Sequence, residues 1–437
     1  MSKEKRKELV LNEEQEEAKT MIQDFLKSDE IDFTLSGRAG TGKSTLMFDI
    51  FKRKKPKSNE YYIPKTVIGI TVTHQARINL MKHIPNCTTF ASAANLEMVI
   101  DPNGEIYFIE RQTNLFMSEL RAYKTLIIDE CSMFDNKMIG ILRRCCDPKA
   151  KIIWTGDHHQ LPPVGVTNDE DSPTFSFKNK FTLNKVMRQS EDNYILDLAD
   201  QICEQIDGDK DLSFIKELKN KFNPETNKGY AVTTIQNVIT SFVSNFKNKK
   251  DVRITSYRNK RINQINDMIR TFLWDDKSFN KFVVGEFIVM ADQFAPMGIP
   301  RVFNGQTFFV EDITIETIEG VECDVLKVNN GTKKKPEWEY LPVPSVKGIL
   351  VYKKTINLYK EQAKITKNWK EYMEFKNNFA NVAYGYAVSN YKIQGSTTYG
   401  CYVDLSDILD TKTTSNKRKL QAFYVGVSRP TNVLAIF

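Results

Sequence analysis

The stretch that most constrains this chain is residues 37–44, "GRAGTGKS". Glycines at 37, 40 and 42 let consecutive backbone N–H groups point inward without side-chain obstruction. The run before them, "IDFTLS", alternates like a short strand, and "TLMFDI" after them reads as the first turns of a helix. Strand, glycine-rich turn and helix in that order make an anion nest at a helix N-terminus, suited to nucleotide phosphates. The pattern GxxxxGK[ST] places Lys43 on the β- and γ-phosphates and the Ser44 hydroxyl on Mg²⁺. Gly37, Ala39, Gly40, Thr41, Gly42 and Thr45 are the accompanying ATP contacts, so ATP and Mg²⁺ are the expected cofactors.

A nucleotide site of this kind needs a carboxylate at the end of a second buried strand. Residues 124–135, "KTLIIDECSMFD", supply one. Leu126, Ile127 and Ile128 form the continuous apolar run of a parallel strand covered on both faces. Asp129 is the expected metal ligand and Glu130 the expected general base toward the attacking water.

A third strand end follows in "KIIWTGDHHQLPPV" (151–164). Ligands gather at the carboxyl ends of strands in open α/β sheets, which makes Gln160 a candidate contact to the γ-phosphate or its attacking water. Asp157, His158 and His159 also raise the question of a metal. On an extended segment adjacent side chains point to opposite faces, and the other two histidines, His74 and His83, are isolated. No metal is expected there.

Composition narrows the class. Seven scattered cysteines without CxxC spacing describe a reduced protein, not a disulfide framework. No signal peptide and no membrane-length apolar run are visible, so a soluble, cytoplasmic protein without a membrane partner is expected. Sixty-two lysines and arginines against 55 acids permit a nucleic-acid partner without requiring one. The basic runs at 52–57 ("KRKKPK"), 247–250, 333–335 and 417–419 read as solvated loops or as phosphate contacts.

"GDHHQLPPV" (156–164) resembles motif III of the superfamily 1 helicases, whose variable middle positions are where both histidines fall. Other segments follow in that family's order. "LNEEQEEA" (11–18) resembles its Q motif, which implies that Gln15 bonds adenine. "TVTHQAR" (71–77) resembles motif Ia, with Thr73 and His74 toward DNA, and "CTTFASAA" (87–94) resembles motif Ib, with Thr88, Thr89 and Phe90. "VMRQ" (186–189) is similar to the start of motif IV and implies Arg188 on the γ-phosphate. "ITSYRN" (254–259) resembles the opening strand of a second motor core, with Ser256 toward DNA. "AYGYAVSNYKIQGST" (383–397) resembles motif V. It implies DNA contacts from Ser389, Tyr391 and Lys392, and nucleotide contacts from Gln394 and Gly395. "FYVGVSRPTN" (423–432) resembles motif VI, with Arg429 as arginine finger. Tyr391 stands where the family usually has histidine, and Pro430 where it has a small residue.

Order and spacing are similar to the RecD-like branch, superfamily 1B. That resemblance implies an α/β fold of two RecA-like P-loop cores, with an inserted β-hairpin (the 1B pin) and an inserted SH3-like β-barrel (2B). The expected boundaries are 1–95 with 112–190 for core 1A, 96–111 for the pin, 191–280 with 381–437 for core 2A, and 281–380 for the barrel and its helical extension. Tyr107 and Phe108 are the candidate wedge aromatics of the pin, whose alternative is a plain surface hairpin. The implied function is an ATP-dependent DNA helicase, moving 5′→3′ on single strands and separating duplex. Its partners would be single-stranded and forked DNA and a single-stranded-DNA-binding protein or other replication or recombination proteins. A monomer is expected, in the host cytoplasm if the chain is phage-encoded. The alternatives are a translocase that displaces bound proteins, or an accessory DNA-binding ATPase, each with little unwinding. A small-molecule P-loop kinase has no use for the later motifs.

Overall fold

In the computed structural model, residues 10–56, 58, 60–100, 106–110, 118–163, 169–186, 193–223, 225, 228–275, 280–332 and 334–437 are described; in 97–100 and 106–110 the description is of the backbone. The chain forms two compact units, Met1–Leu96 with Glu110–Asn193, and Glu97–Ile109 with Tyr194–Phe437.

The first unit is built on a six-stranded sheet. In spatial order its strands are Lys180–Leu183, Asp32–Gly37, Lys151–Gly156, Thr125–Asp129, Val67–Thr71 and Cys87–Thr89. All pairings are parallel. Ile127, Ile128, Ile152, Ile153 and Trp154 are fully buried, as a sheet covered by helices on both faces requires. Parallel pairing in register carries the phosphate loop, Asp129 and Gly156 to one edge, because Ser36 lies opposite Gly156 and Ile128 opposite Trp154.

The second unit has its own six-stranded sheet, ordered Lys221–Asn223, Lys228–Val232, Pro430–Ile436, Thr398–Val403, Val252–Ser256 and Ala387–Ser389. Only the first pairing is antiparallel. Inserted in it is an antiparallel sheet of five strands, Trp338–Pro344, Val321–Asn329, Thr307–Ile318, Phe287–Met290 and Val382–Tyr384. Its apolar core includes Phe282, Ile288, Phe308, Leu326 and Leu341. The helix Ile349–Thr366 and the helix Lys370–Asn377 pack beside it through Tyr352, Tyr359 and Phe375. A buried carboxylate anchors the insertion: Glu286 accepts from Arg270 Nη2 (3.0 Å), Trp274 Nε1 (3.2 Å) and the Tyr386 hydroxyl (2.8 Å).

Two expected boundaries shift. The barrel segment, expected to end at 380, continues through Val382–Tyr384, which pairs with Phe287–Met290. A bend at Gly385 and Tyr386 then leads into the core strand Ala387–Ser389. The hairpin expected within core 1A does form, from Leu96–Ile100 and Ile106–Glu110, as a separate two-stranded sheet. Most of it groups with the second unit, although it pairs with no strand of either six-stranded sheet. Among the described residues, no helix is long and apolar enough to cross a membrane.

Candidate active site

The phosphate loop is shaped by its own sequence. Gly40 and Gly42 have φ of 91° and 86°, the left-handed region that side chains other than glycine enter at a cost. A Cβ on Gly42 would also lie 2.5 Å from Gln15 Nε2, so the amide bridging to Thr41 would have to shift. Thr41 is fully buried and its hydroxyl donates to Arg38 O (3.0 Å). The helix Lys43–Phe51 starts directly after Gly42, so Lys43, Ser44 and Thr45 occupy its first turn. Lys43 Nζ donates to the carbonyls of Gly37 and Arg38, the latter at 3.1 Å.

Gln15 also bonds within the protein. Its Oε1 accepts from Asn12 N (3.1 Å) in a capping box, and its Nε2 donates to Thr41 O (2.9 Å). Each end of the amide thus makes one bond within the protein, which fixes the first helix to the phosphate loop and leaves one N–H and one lone pair of the amide for a ligand. The capping box at Asn12 accounts for the Oε1 bond.

Asp129 ends its strand with its carboxylate held by Thr155, whose hydroxyl donates to Oδ1 (2.8 Å). Thr155 went unremarked in the sequence, although it is the one hydroxyl in the buried run "KIIWTG". Glu130 sits at φ 56°, ψ 44°. A non-glycine residue in that region costs about 1–3 kcal/mol and persists where the surrounding structure over-determines it. The neighbouring strand approaches closely, as a Cβ on Gly156 would lie 2.6 Å from Cys131 Sγ.

After Gly156 the chain turns rather than continuing extended, which overturns the geometric argument about the histidines. Their rings lie side by side, with centroids 3.8 Å apart. His158 Nδ1 bonds the Ser36 hydroxyl (3.1 Å), and His159 Nδ1 pairs with Asp157 Oδ1 (3.1 Å). Ligand atoms of Asp157, His158 and His159 lie within 4.8 Å of one another. Asp157 Oδ1 also accepts from His159 N (3.1 Å), so the triad is already closed by hydrogen bonds that tie the turn to the phosphate-loop strand. Gln160 is 4 % exposed, and among the described residues its side-chain oxygen has no hydrogen-bond partner. A buried acceptor left open is costly without a ligand, which marks it as a contact awaiting one.

The first sheet's other candidates divide. Thr73 caps the helix His74–Leu80 by accepting from Ala76 N (3.2 Å). Burial, with help from Arg77, pushes His74 down to about 4, so its imidazole is neutral at neutral pH. Thr88 is half-buried. Thr89 caps the short helix Phe90–Ala93 and bonds Ser92 Oγ (2.9 Å). Phe90 is a correction: it is 5 % exposed and packs edge-on against Phe134, ring centroids 5.3 Å apart, in the sheet's core. It cannot reach a nucleic acid from there.

In the second unit, Ser389 caps the helix Asn390–Ile393, which carries Tyr391 and Lys392. Burial raises Tyr391 and lowers Lys392. Gln394 is buried, and Gly395 has φ 76°. Arg429 is 4 % exposed and bonds Val425 O (3.1 Å), Ser396 O (3.3 Å) and Ser428 Oγ (2.8 Å). The motif V loop and the motif VI arginine are therefore linked inside one unit. Ser256 is a second correction. It is fully buried and donates to Asp407 Oδ2 (2.7 Å) beneath Arg258 and Arg261, which pair with Asp407 and Asp404. Arg188, and the side chains of Tyr107 and Phe108, lie outside the described residues.

A family model described as an AAA domain matches residues 10–219. The chain is 26% identical to the ATP-dependent DNA helicase dda of Enterobacteria phage T4 over 302 residues, covering 64% of this chain and 61% of that protein. Two solved structures share the fold. The Pif1 helicase from Candida albicans has a TM-score of 0.52 at 15% identity, over 98% of this chain and 94% of that one. The Pif1 helicase from Bacteroides in complex with ADP-AlF3 and ssDNA has a TM-score of 0.50 at 16% identity, over 98% and 92%.

Proposed function

We infer that this chain is a Pif1/RecD-like helicase of superfamily 1B, an ATP-driven DNA helicase moving 5′→3′ on a single strand and separating duplex ahead of it. One observation carries the reading. Lys43, Asp129, Glu130 and the open buried oxygen of Gln160 come from adjoining parallel strands and meet at one sheet edge. The T4 relative is named an ATP-dependent DNA helicase, and the Bacteroides structure contains a nucleotide analogue and single-stranded DNA.

The roles follow from charge and reach. Lys43 exchanges its two loop carbonyls for the β- and γ-phosphates, while the loop's N–H groups hold the same oxygens. Ser44 and Asp129, the latter steadied by Thr155, fit a magnesium ion, which when bound neutralises phosphate charge. Glu130 takes the proton from the water that attacks the γ-phosphorus as the bond to the bridging oxygen breaks. Gln160 senses whether the γ-phosphate is present. Arg429 stabilises charge on the transferred phosphoryl. Thr73, His74, Thr88, Tyr391 and Lys392 grip the strand, and the hydrogen bond from Arg429 to Ser396 ties hydrolysis to that grip.

Steady-state hydrolysis with and without oligo(dT) tests this coupling. A several-fold rise in turnover on adding the oligonucleotide is expected. Equal rates would refute the motor reading, and phosphate transfer to a small acceptor would point to a kinase.

A further inference from the structure

The basic run at 52–57 plays no part in this chemistry, and its setting is informative. Arg53–Lys54 pairs with Tyr61–Tyr62 as a small antiparallel ribbon, Arg53 opposite Tyr62 and Lys54 opposite Tyr61. Large aromatic side chains favour burial, yet Tyr61 is 52 % and Tyr62 44 % exposed. Lys52 Nζ lies 5.3 Å from the centre of the Tyr61 ring. Arg53 also lines a cavity of about 620 Å³ with Arg121, Lys124, Lys149, Lys151 and a single acid, Asp147. Lys124 and Lys149 are exposed, and among the described residues neither belongs to an ion pair.

The location separates this face from the motor. The cavity is bounded by Val67, Thr125 and Lys151, the first residues of three strands of the first sheet. The phosphate loop, Asp129, Thr73 and Thr89 all lie at or just beyond the carboxyl ends of that sheet's strands. One sheet thus presents the nucleotide chemistry at one edge and an unassigned cationic, tyrosine-bearing surface at the other.

We propose that this face is a second binding site for single-stranded nucleic acid. Tyr62 stacks on an unpaired base, while Arg53, directly across the ribbon from it, takes a backbone phosphate together with Arg121, Lys124 and Lys149. Cations tracking a backbone beside aromatic platforms are how sequence-tolerant single-strand sites are built. A duplex would leave the ring unused, and an acidic protein would need the cations alone. Strand held here is held whatever the nucleotide state, since no residue of the face touches the ATP site. The site would act as a tether while the motor grip cycles.

The test is photo-cross-linking of the full chain to an oligo(dT) substituted with 5-iodouracil, with adducts mapped by mass spectrometry. An adduct on the peptide containing Tyr61 and Tyr62 is expected, beside those on peptides carrying the motor contacts. In the Lys124→Glu/Lys149→Glu variant its yield should fall by roughly an order of magnitude at fixed salt, because each lost phosphate contact removes about 0.7 from the logarithmic salt slope. Motor-peptide yields and hydrolysis without DNA should not change. Adducts confined to the motor peptides would overturn the second site and leave the motor reading standing. An adduct confined to the tyrosine peptide would do the reverse. Equal competition by blunt duplex would also overturn it, since stacking on unpaired bases would then contribute nothing.

Discussion

Glu130→Gln is expected to lower the hydrolysis rate by about 10²–10⁴-fold, the usual contribution of a positioned general base, while leaving ATP affinity nearly intact. The substitution keeps size and shape, so the left-handed backbone at 130, Asp129 and its bond from Thr155 are undisturbed. What is lost is the capacity to take a proton from water. Single-turnover hydrolysis beside equilibrium nucleotide binding separates the two effects. A variant that hydrolyses at the wild-type rate would remove Glu130 from the chemistry. One that also fails to bind ATP would mean the residue shapes the site instead.

Arg429→Ala carries the second large effect, about 10³–10⁵ in turnover if the guanidinium acts as a finger on the transferred phosphoryl. Here a structural loss must be told from a catalytic one. The side chain is nearly buried and donates to Val425 O, Ser396 O and Ser428 Oγ. Removing the donor to Ser396 O costs about 1–3 kcal/mol where that carbonyl stays buried, so the alanine variant should melt at a lower temperature. Arg429→Lys keeps the charge and some of these bonds but loses the planar fork. It is expected to recover much of the stability and little of the turnover. Stability and turnover returning together would reduce Arg429 to a tie between motifs V and VI.

The parts legible in the sequence were those whose meaning is local. The phosphate loop needs only neighbours in the chain, and the two buried strand ends announce themselves by an apolar run stopping at acids or at a glycine turn. Residues whose roles depend on distant partners were misread. Ser256 looks like a strand-end hydroxyl facing a ligand until Asp407, far along the chain, folds over it. Phe90 follows two threonines suited to phosphate, yet Phe134 and the sheet core claim its ring. Gln15 sits at the expected motif position, but its bond to Thr41 in the phosphate loop is visible only in the fold. Adjacent histidines read as opposed along an extended strand, whereas the chain turns after Gly156 and brings their rings side by side. The boundary near 381 is hard to place because only the bend at Gly385 and Tyr386 separates the barrel's last strand from a core strand.

The central claim is directional, ATP-driven strand separation. It is tested most directly by unwinding duplexes of one sequence that carry a single-stranded tail on only the 5′ or only the 3′ side, under single-turnover conditions with ATP. Rapid separation of the 5′-tailed substrate is predicted, with little from the 3′-tailed one and none without ATP. Preferential unwinding from the 3′ tail, or ATP consumption without separation of either substrate, would contradict the account.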